Sequence, residues 1–270
     1  MVKLNDLDAK TWVKSTKSWF VLSGKSRTKD VIRHPAKYPE ELAEKFISFF
    51  SKKGDIIFDP FMGVGSTGIA ALRNERFCAG IEINSTFQEL ANKRIFDLSN
   101  DLFNECKDNC KIILGDSRNI KNYPNSVDFI VTSPPYWDIL KKQRGNSDSQ
   151  HKQRKEKELP LYYSDNENDL GNITEYELFI KELMKVFKNC SKILSKGKYM
   201  VVVVQNFRNT DGEYIPFAWD LVSKIQKYNF TFEGEQIWCQ EDKKLGIWGY
   251  PSKFITNIHH HYCLVFRKDA

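Results

Sequence analysis

Four polar residues stand at the same place in the sequence pattern, the end of a short apolar run. Asp59 closes "DIIFD", Glu82 lies near the end of "FCAGIEI", Asp116 closes "KIILGD", and Ser133 closes "VDFIVTS". Carboxylates at such points can accept hydrogen bonds from hydroxyl, amino or ammonium groups. Between the first two acids, Gly63-Val-Gly65-Ser-Thr-Gly68 fits G-x-G-x-x-G, and Glu82 follows Gly68 by 14 residues. Alone, this spacing indicates dinucleotide binding, with Glu82 on ribose hydroxyls. The intervening "DPFM" conflicts with that reading, because Asp59 then stands where a pyrophosphate would sit. A carboxylate there repels phosphate and suits an ammonium group. S-adenosylmethionine combines a ribose for Glu82, an adenine amino group for Asp116 and a cationic amino-acid end for Asp59. Helix caps and turns explain each acid singly but the set less well.

The turn "TSPPYW" (132–137) supplies the complementary chemistry. Transfer of a methyl group to an amine needs no covalent nucleophile. An exocyclic amine must instead give up conjugation with its ring and aim a lone pair at the methyl. The Ser133 hydroxyl and the Pro134 carbonyl can accept its two hydrogens. Pro134 and Pro135 fix the backbone that carries that carbonyl, and Tyr136 offers a face for a base to stack on. A base inside a duplex reaches such a pocket only by flipping out.

Alternating patterns must position these residues. Helical periodicity over 38–54 begins near Pro39 and ends at Gly54. Strand and helix patterns then alternate to about residue 228, with strands expected at 55–59, 77–83, 111–116, 127–133 and 199–204. Thr174 and Glu177 have the spacing of a capping box for the helix that follows. Two final strands with no helix between them imply one antiparallel member. The expected architecture is a mostly parallel sheet covered on both faces. The least regular pieces are 1–30, 138–172, 205–215 and 240–258, where loops carry function.

The chain has 270 residues, 41% hydrophobic and 28% charged, with a net charge of +6. Residues 1–37 hold nine Lys/Arg against three Asp, and 138–158 hold seven against four acids. Two basic segments on a near-neutral body point to a polyanion partner, with solvated surface as the plain alternative. No apolar run of about 18 residues suggests a membrane span, and "MVKLNDLDAKTW" has no signal-peptide core. The six cysteines include no C-x-x-C pair, which reads as reduced thiols in a cytoplasmic protein. His259, His260 and His261 alternate along a strand pattern, so no metal is assigned.

The combination resembles the DNA amino-methyltransferases, whose catalytic motif is (D/N/S)-P-P-(Y/F/W). "TSPPYW" is similar to the cytosine-N4 branch, and "DPFMGVGST" to the family's cofactor motif. "HPAKYPEEL" resembles the segment that packs on the methionine moiety, and the likeness covers about residues 31–270. Here the cofactor motif precedes the catalytic one, whereas the serine branch often has the reverse order. The resemblance implies a Rossmann-like class I methyltransferase fold, a seven-stranded sheet with one antiparallel strand near the C-terminus. One domain is expected over 1–270, with a basic arm (1–30), a basic insertion (138–172) placed to clamp DNA, and a target-recognition loop (240–258). Cofactor contacts are implied at Lys37, Tyr38, Pro39, Asp59, Pro60, Phe61, Gly63, Gly65, Ser66, Thr67, Glu82, Ile83, Asp116 and Ser117. Catalysis is implied at Ser133, Pro134, Pro135 and Tyr136. DNA contacts are expected from Trp137, Lys141, Lys142, Arg144, Lys152, Arg154, Asn206, Trp248, Tyr250 and Lys253. The expected reaction is methylation of cytosine N4 in duplex DNA, the target base flipped, within a restriction system that includes a cognate endonuclease. Adenine-N6 methylation is the near alternative, and a nicotinamide-dependent oxidoreductase the remote one.

Overall fold

The computed structural model describes residues 3–22, 38–101, 109–137, 166–209 and 211–269. Lys37, Cys106 and the stretch 138–165, with Lys141, Lys142, Arg144, Lys152 and Arg154, lie outside these residues.

In chain order the elements are α1 (Ala9–Ser15), β1 (Trp19–Val21), α2 (Glu40–Phe50), β2 (Ile56–Asp59), α3 (Ser66–Arg73) and β3 (Phe77–Glu82). Then follow α4 (Ser85–Asp101), β4 (Cys110–Leu114), β5 (Val127–Thr132), α5 (Tyr176–Ile193) and β6 (Leu194–Val204). A small hairpin, β7 (Phe207–Arg208) and β8 (Tyr214–Ile215), precedes α6 (Phe217–Ile225), β9 (Phe230–Cys239) and β10 (His260–Lys268). The large sheet has the order β1-β9-β10-β6-β5-β2-β3-β4. Strands β2 to β6 pair in parallel, and β10 runs antiparallel to both of its neighbours, β6 and β9.

Burial on both faces explains the continuous apolar runs. Along β6, Met200, Val202 and Val204 face the cluster built with α5 and α6, whereas Val201 and Val203 face the one built with α2 and α3. α2 buries Leu42, Ala43, Phe46, Ile47 and Phe50, a stripe at helical spacing, with Glu40 and Glu41 in its first turn.

Three details differ from the sequence expectation. Pro39 is the N-cap of α2, and the helix starts one residue later. Glu175, not Thr174, caps α5 and makes no side-chain cap bond; the polar cap sits upstream, where Asp169 accepts from Gly171 N at the turn Leu170–Asn172. An eighth strand joins the seven, because the N-terminal arm is partly built into the body. Its Trp19, Phe20 and Val21 pair with Ile237, Trp238 and Cys239. Trp12 packs on Phe49 at 4.9 Å, Phe20 faces Phe46 at 6.1 Å, and Lys17 Nζ lies 3.3 Å from the Trp19 ring centre. No helix among the described residues is long and apolar enough to cross a membrane.

The order of the sheet decides where a ligand binds. From β2 the chain steps outward through β3 and β4, then returns to the other flank of β2 with β5. This is a topological switch point, and the crevice beyond the carboxyl ends of β2 and β5 is the natural ligand site of such a sheet. Asp59 ends one of these strands and Ser133 follows the other.

Candidate active site

The chain leaves β2 through Pro60 to Gly65 and enters α3. Gly63 and Gly65 have φ of 55° and 85°, and a Cβ on Gly65 would stand 3.0 Å from Ala91 Cβ, so this turn requires glycine. Met62 N donates to Ile81 O at 2.9 Å, and Gly63 N to Glu82 Oε2 at 2.7 Å. Arg94 donates to Val64 O and to the Glu40 carboxylate, tying the turn to α2. Glu82 Oε1 accepts from Asn84 N at 2.9 Å. Burial, the largest influence on Glu82, raises its pKa to about 7.

The oxygens of Asp59 are bonded by the protein itself. Oδ1 accepts from Thr132 Oγ1 at 2.6 Å and Phe61 N at 2.9 Å. Oδ2 accepts from Tyr38 OH at 3.0 Å and Thr67 Oγ1 at 2.5 Å. Tyr38 OH and Thr67 Oγ1 also share a short hydrogen bond, so the carboxylate is held in a network of four protein groups, and it is 1% exposed. Asp59 therefore lies as a strut beneath the cleft, its oxygens engaged by protein groups. It joins the segment before α2, the glycine turn, α3 and the residue before Ser133. Burial is the largest influence on its pKa, which is raised.

Above the strut lies a cleft of about 850 Å³, counting its open mouth. Its walls bring together Tyr38, Pro60, Phe61, Gly63 and Ser66 with Glu82, Ile83, Asp116 and Ser117. Ser133, Pro134 and Pro135 line the same cleft. Pro39, Gly65 and Thr67 support it without lining it. Ser117 Oγ donates to Pro60 O, linking two of its walls. Asp116 is held by Arg118 through three side-chain N–H contacts at 2.7 to 3.0 Å and the Arg118 backbone N at 2.8 Å.

The catalytic turn divides into an exposed and a buried part. Ser133 is partly exposed, whereas Pro134, Pro135 and Tyr136 are buried. The Tyr136 ring does not line the cleft. It packs edge-on against Phe217 at 6.1 Å, and burial raises its pKa, with the Ser133 side chain as a hydrogen-bonding neighbour. Tyr136 thus holds the turn from behind instead of displaying a stacking face. Trp137 is likewise packed, against Tyr176 at 5.1 Å. Asn206 does not face the cleft either: its Oδ1 accepts from Ala218 N at 2.8 Å, satisfying an amide in the first turn of α6.

Leu245, Ile247, Trp248, Tyr250 and Phe254 are exposed on the loop between β9 and β10. Asn257 pins its base, accepting from Gly246 N at 2.9 Å and Trp248 Nε1 at 3.1 Å, and donating to Gly246 O at 2.9 Å. Since β10 is antiparallel to β6, this loop rises from the same sheet edge as the cleft. His261 stacks on Trp238 at 4.7 Å and His260 meets Tyr262 at 4.9 Å, so the neighbouring rings serve packing. The cleft also uses Met62, Val64, Ile81, Phe87, Asn168, Asp169 and Leu170, which the sequence reading did not single out. Only Asp169, an acid just before a helix, carried a sequence signal comparable to the other acids.

Fold and cleft define a protein of the Rossmann-like methyltransferase class. Two solved structures share the fold at a TM-score of 0.51: TrmN from Thermus thermophilus and a SAM-dependent methyltransferase from Methanosarcina mazei. The first is 11% identical and covers 87% of this chain and 50% of that one; the second is 14% identical and covers 83% and 97%. The chain belongs to the DNA methylase family N6_N4_Mtase, whose profile matches residues 4–93 and 127–270. It is 41% identical over 80 residues to the orphan methyltransferase M.BamHII of Bacillus amyloliquefaciens, covering 28% of this chain and 30% of that protein. It is 30% identical over 182 residues to the Type II methyltransferase M.MthZI of Methanothermobacter thermautotrophicus, covering 65% and 45%. A stretch of 62 residues is 40% identical to the DNA adenine methyltransferase YhdJ of Escherichia coli, covering 23% and 21%. The matched stretches thus span less than half the length of these relatives.

Proposed function

We propose that the chain is an S-adenosylmethionine-dependent DNA amino-methyltransferase that acts on the N4 of a flipped cytosine. The observation that carries this reading is that one cleft at the switch point is lined by both Glu82 and the Ser133-Pro134-Pro135 turn. Glu82 suits a ribose diol, Ile83 and Phe87 an adenine face, and the Tyr38-to-Ser66 wall the methionine arm. When bound, the cofactor supplies an electrophilic methyl group on a sulfonium. Ser133 Oγ and the Pro134 carbonyl accept the hydrogens of the target amine and turn its lone pair toward the cleft. Tyr136 and Asp59 keep the turn still, the first by packing and the second through Thr132. The serine at position 133 favours cytosine; the identity to the adenine enzyme YhdJ favours adenine N6 as a second reading. The Type II names of relatives support a place in a restriction system with an endonuclease partner. Transfer of label from methyl-tritiated S-adenosylmethionine to duplex DNA tests the activity, and transfer to RNA or protein alone would contradict it.

Glu82 gives the cofactor site a pH dependence. Between pH 4.5 and about 7 the folded chain holds a proton that the unfolded chain releases. This group therefore favours the unliganded fold more as pH falls through 7. A ribose diol donates to the ionised carboxylate, so ligand affinity runs the other way. Affinity for S-adenosylhomocysteine is expected to fall by up to about tenfold per unit below pH 7, and Glu82→Gln to flatten the profile. A wild-type profile level from pH 8 to 6 would contradict this.

The loop 240–258 is proposed to touch DNA, with Trp248, Tyr250 and Lys253 among its contacts. Its apolar tips stand on the catalytic edge, pinned at the base by Asn257. The double variant Tyr250→Ser with Phe254→Ser is expected to weaken duplex binding about tenfold, since base–aromatic stacking is of that order. Fluorescence anisotropy reads this, with S-adenosylhomocysteine binding unchanged; equal duplex affinity would remove the loop from the interface.

A further inference from the structure

Asp169 carries a buried oxygen that no described residue uses. It precedes the turn Leu170–Asn172 ahead of α5, and Oδ1 accepts from Gly171 N at 2.9 Å. Oδ2 is buried and has no hydrogen-bond partner among the described residues, although Asp169, 4% exposed, belongs to the wall of the cleft. A buried carboxylate oxygen without a donor is unfavourable, so its retention there points to a ligand donor.

The other acids of the cleft are engaged. Asp59, beneath the cleft, is bonded by Tyr38, Phe61, Thr67 and Thr132, and Glu82 takes Gly63 N and Asn84 N on its two oxygens. The sequence reading gave the adenine amino group to Asp116. In the structure Arg118 approaches both Asp116 oxygens, and its backbone N–H adds a fourth contact. The same guanidinium donates to Asn168 O at 2.7 Å and to Glu182 Oε2 at 3.0 Å. Arg118 thus clamps the Asn168–Asp169 segment against the loop after β4 and fixes Asp169 on that side. The electrostatic neighbours agree: Asp169 interacts with Arg118 and Asp116, and Glu82 feels Asp169. This is the end of the cleft that suits adenosine.

We propose that Asp169, through Oδ2, accepts a hydrogen bond from the 6-amino group of the cofactor's adenine and so selects adenine among purines. The role rests on the S-adenosylmethionine reading above, and Asp116 becomes the residue that positions Arg118 and its clamp. Asp169 is a binding residue with no part in moving the methyl group.

Binding of two nucleosides to the full chain tests this by calorimetry: 5′-methylthioadenosine, and 5′-methylthioinosine, in which a carbonyl oxygen replaces the amino group. Wild type is expected to prefer the adenosine form by about tenfold to a hundredfold, the scale of a hydrogen bond to a charged acceptor. Asp169→Asn presents an amide that can donate to the carbonyl, so the preference is expected to shrink below about threefold or reverse. Asp169→Ser keeps a side-chain acceptor for Gly171 N and is expected to level the two ligands. Equal binding of both nucleosides by wild type would overturn the proposal without any variant. So would an Asp169→Asn protein that binds both more weakly with the wild-type preference intact. If wild type binds S-adenosylhomocysteine and both nucleosides, the cofactor reading stands whatever the ratio. If it binds none of them, the cofactor reading fails and the role of Asp169 with it.

Discussion

Ser133→Ala is expected to lower kcat for methyl transfer roughly 10²- to 10³-fold, the scale of removing one preorganised hydrogen-bonding group from a reacting centre. Affinity for S-adenosylhomocysteine should stay within about twofold. The reason lies in how the turn is divided. The two prolines and Tyr136 are buried, and Ser133 is its partly exposed member at the cleft. Alanine leaves the Pro134 carbonyl in place and removes one of two acceptors for the target amine. A loss of kcat with cofactor affinity kept assigns Ser133 to the reacting amine. An unchanged kcat would mean that the hydroxyl serves only Tyr136.

Asp59→Asn is expected to be the most destructive single change in the cleft. It sets an NH2 group against donors that now point at a carboxylate: two hydroxyls on one oxygen, a hydroxyl and an amide on the other. Leaving buried donors unpaired should destabilise the fold by about 3 kcal/mol or more, seen as a lower melting temperature without ligand. Cofactor affinity and kcat should fall together, because the strut spans both walls. Thr132→Val separates the effects. It removes only the contact next to Ser133, so it should lower kcat more than cofactor affinity and destabilise by about 1–2 kcal/mol. If Asp59→Asn kept its melting temperature and lost only cofactor affinity, Asp59 would be an ammonium ligand after all.

That contrast shows what the sequence could reveal. Parallel strands buried on both faces read as unbroken apolar runs, so the acids at their ends were visible as a set. The glycine turn was visible because Gly63 and Gly65 take backbone angles that other residues rarely adopt. The direction in which each polar group points was not visible. Asp59 is filled by Tyr38, Thr67 and Thr132, which lie 21, 8 and 73 residues away. Asn206 turns to α6, and Tyr136 turns to Phe217, because the packing of α6 decides both. The strand at Trp19 was too short for its alternation to register. Asp169 lies in an irregular stretch with no strand or helix period to mark it, and its segment is held by Arg118, far along the chain.

We propose that this cleft delivers a methyl group to the exocyclic nitrogen of a flipped cytosine. The most direct measurement is to methylate duplex DNA with the purified chain and S-adenosylmethionine, digest it to nucleosides and separate the products by mass spectrometry. N4-methylcytosine is expected, its yield sharply reduced with Ser133→Ala. N6-methyladenine as the sole product would contradict the choice of cytosine, and 5-methylcytosine would contradict amino-group transfer altogether.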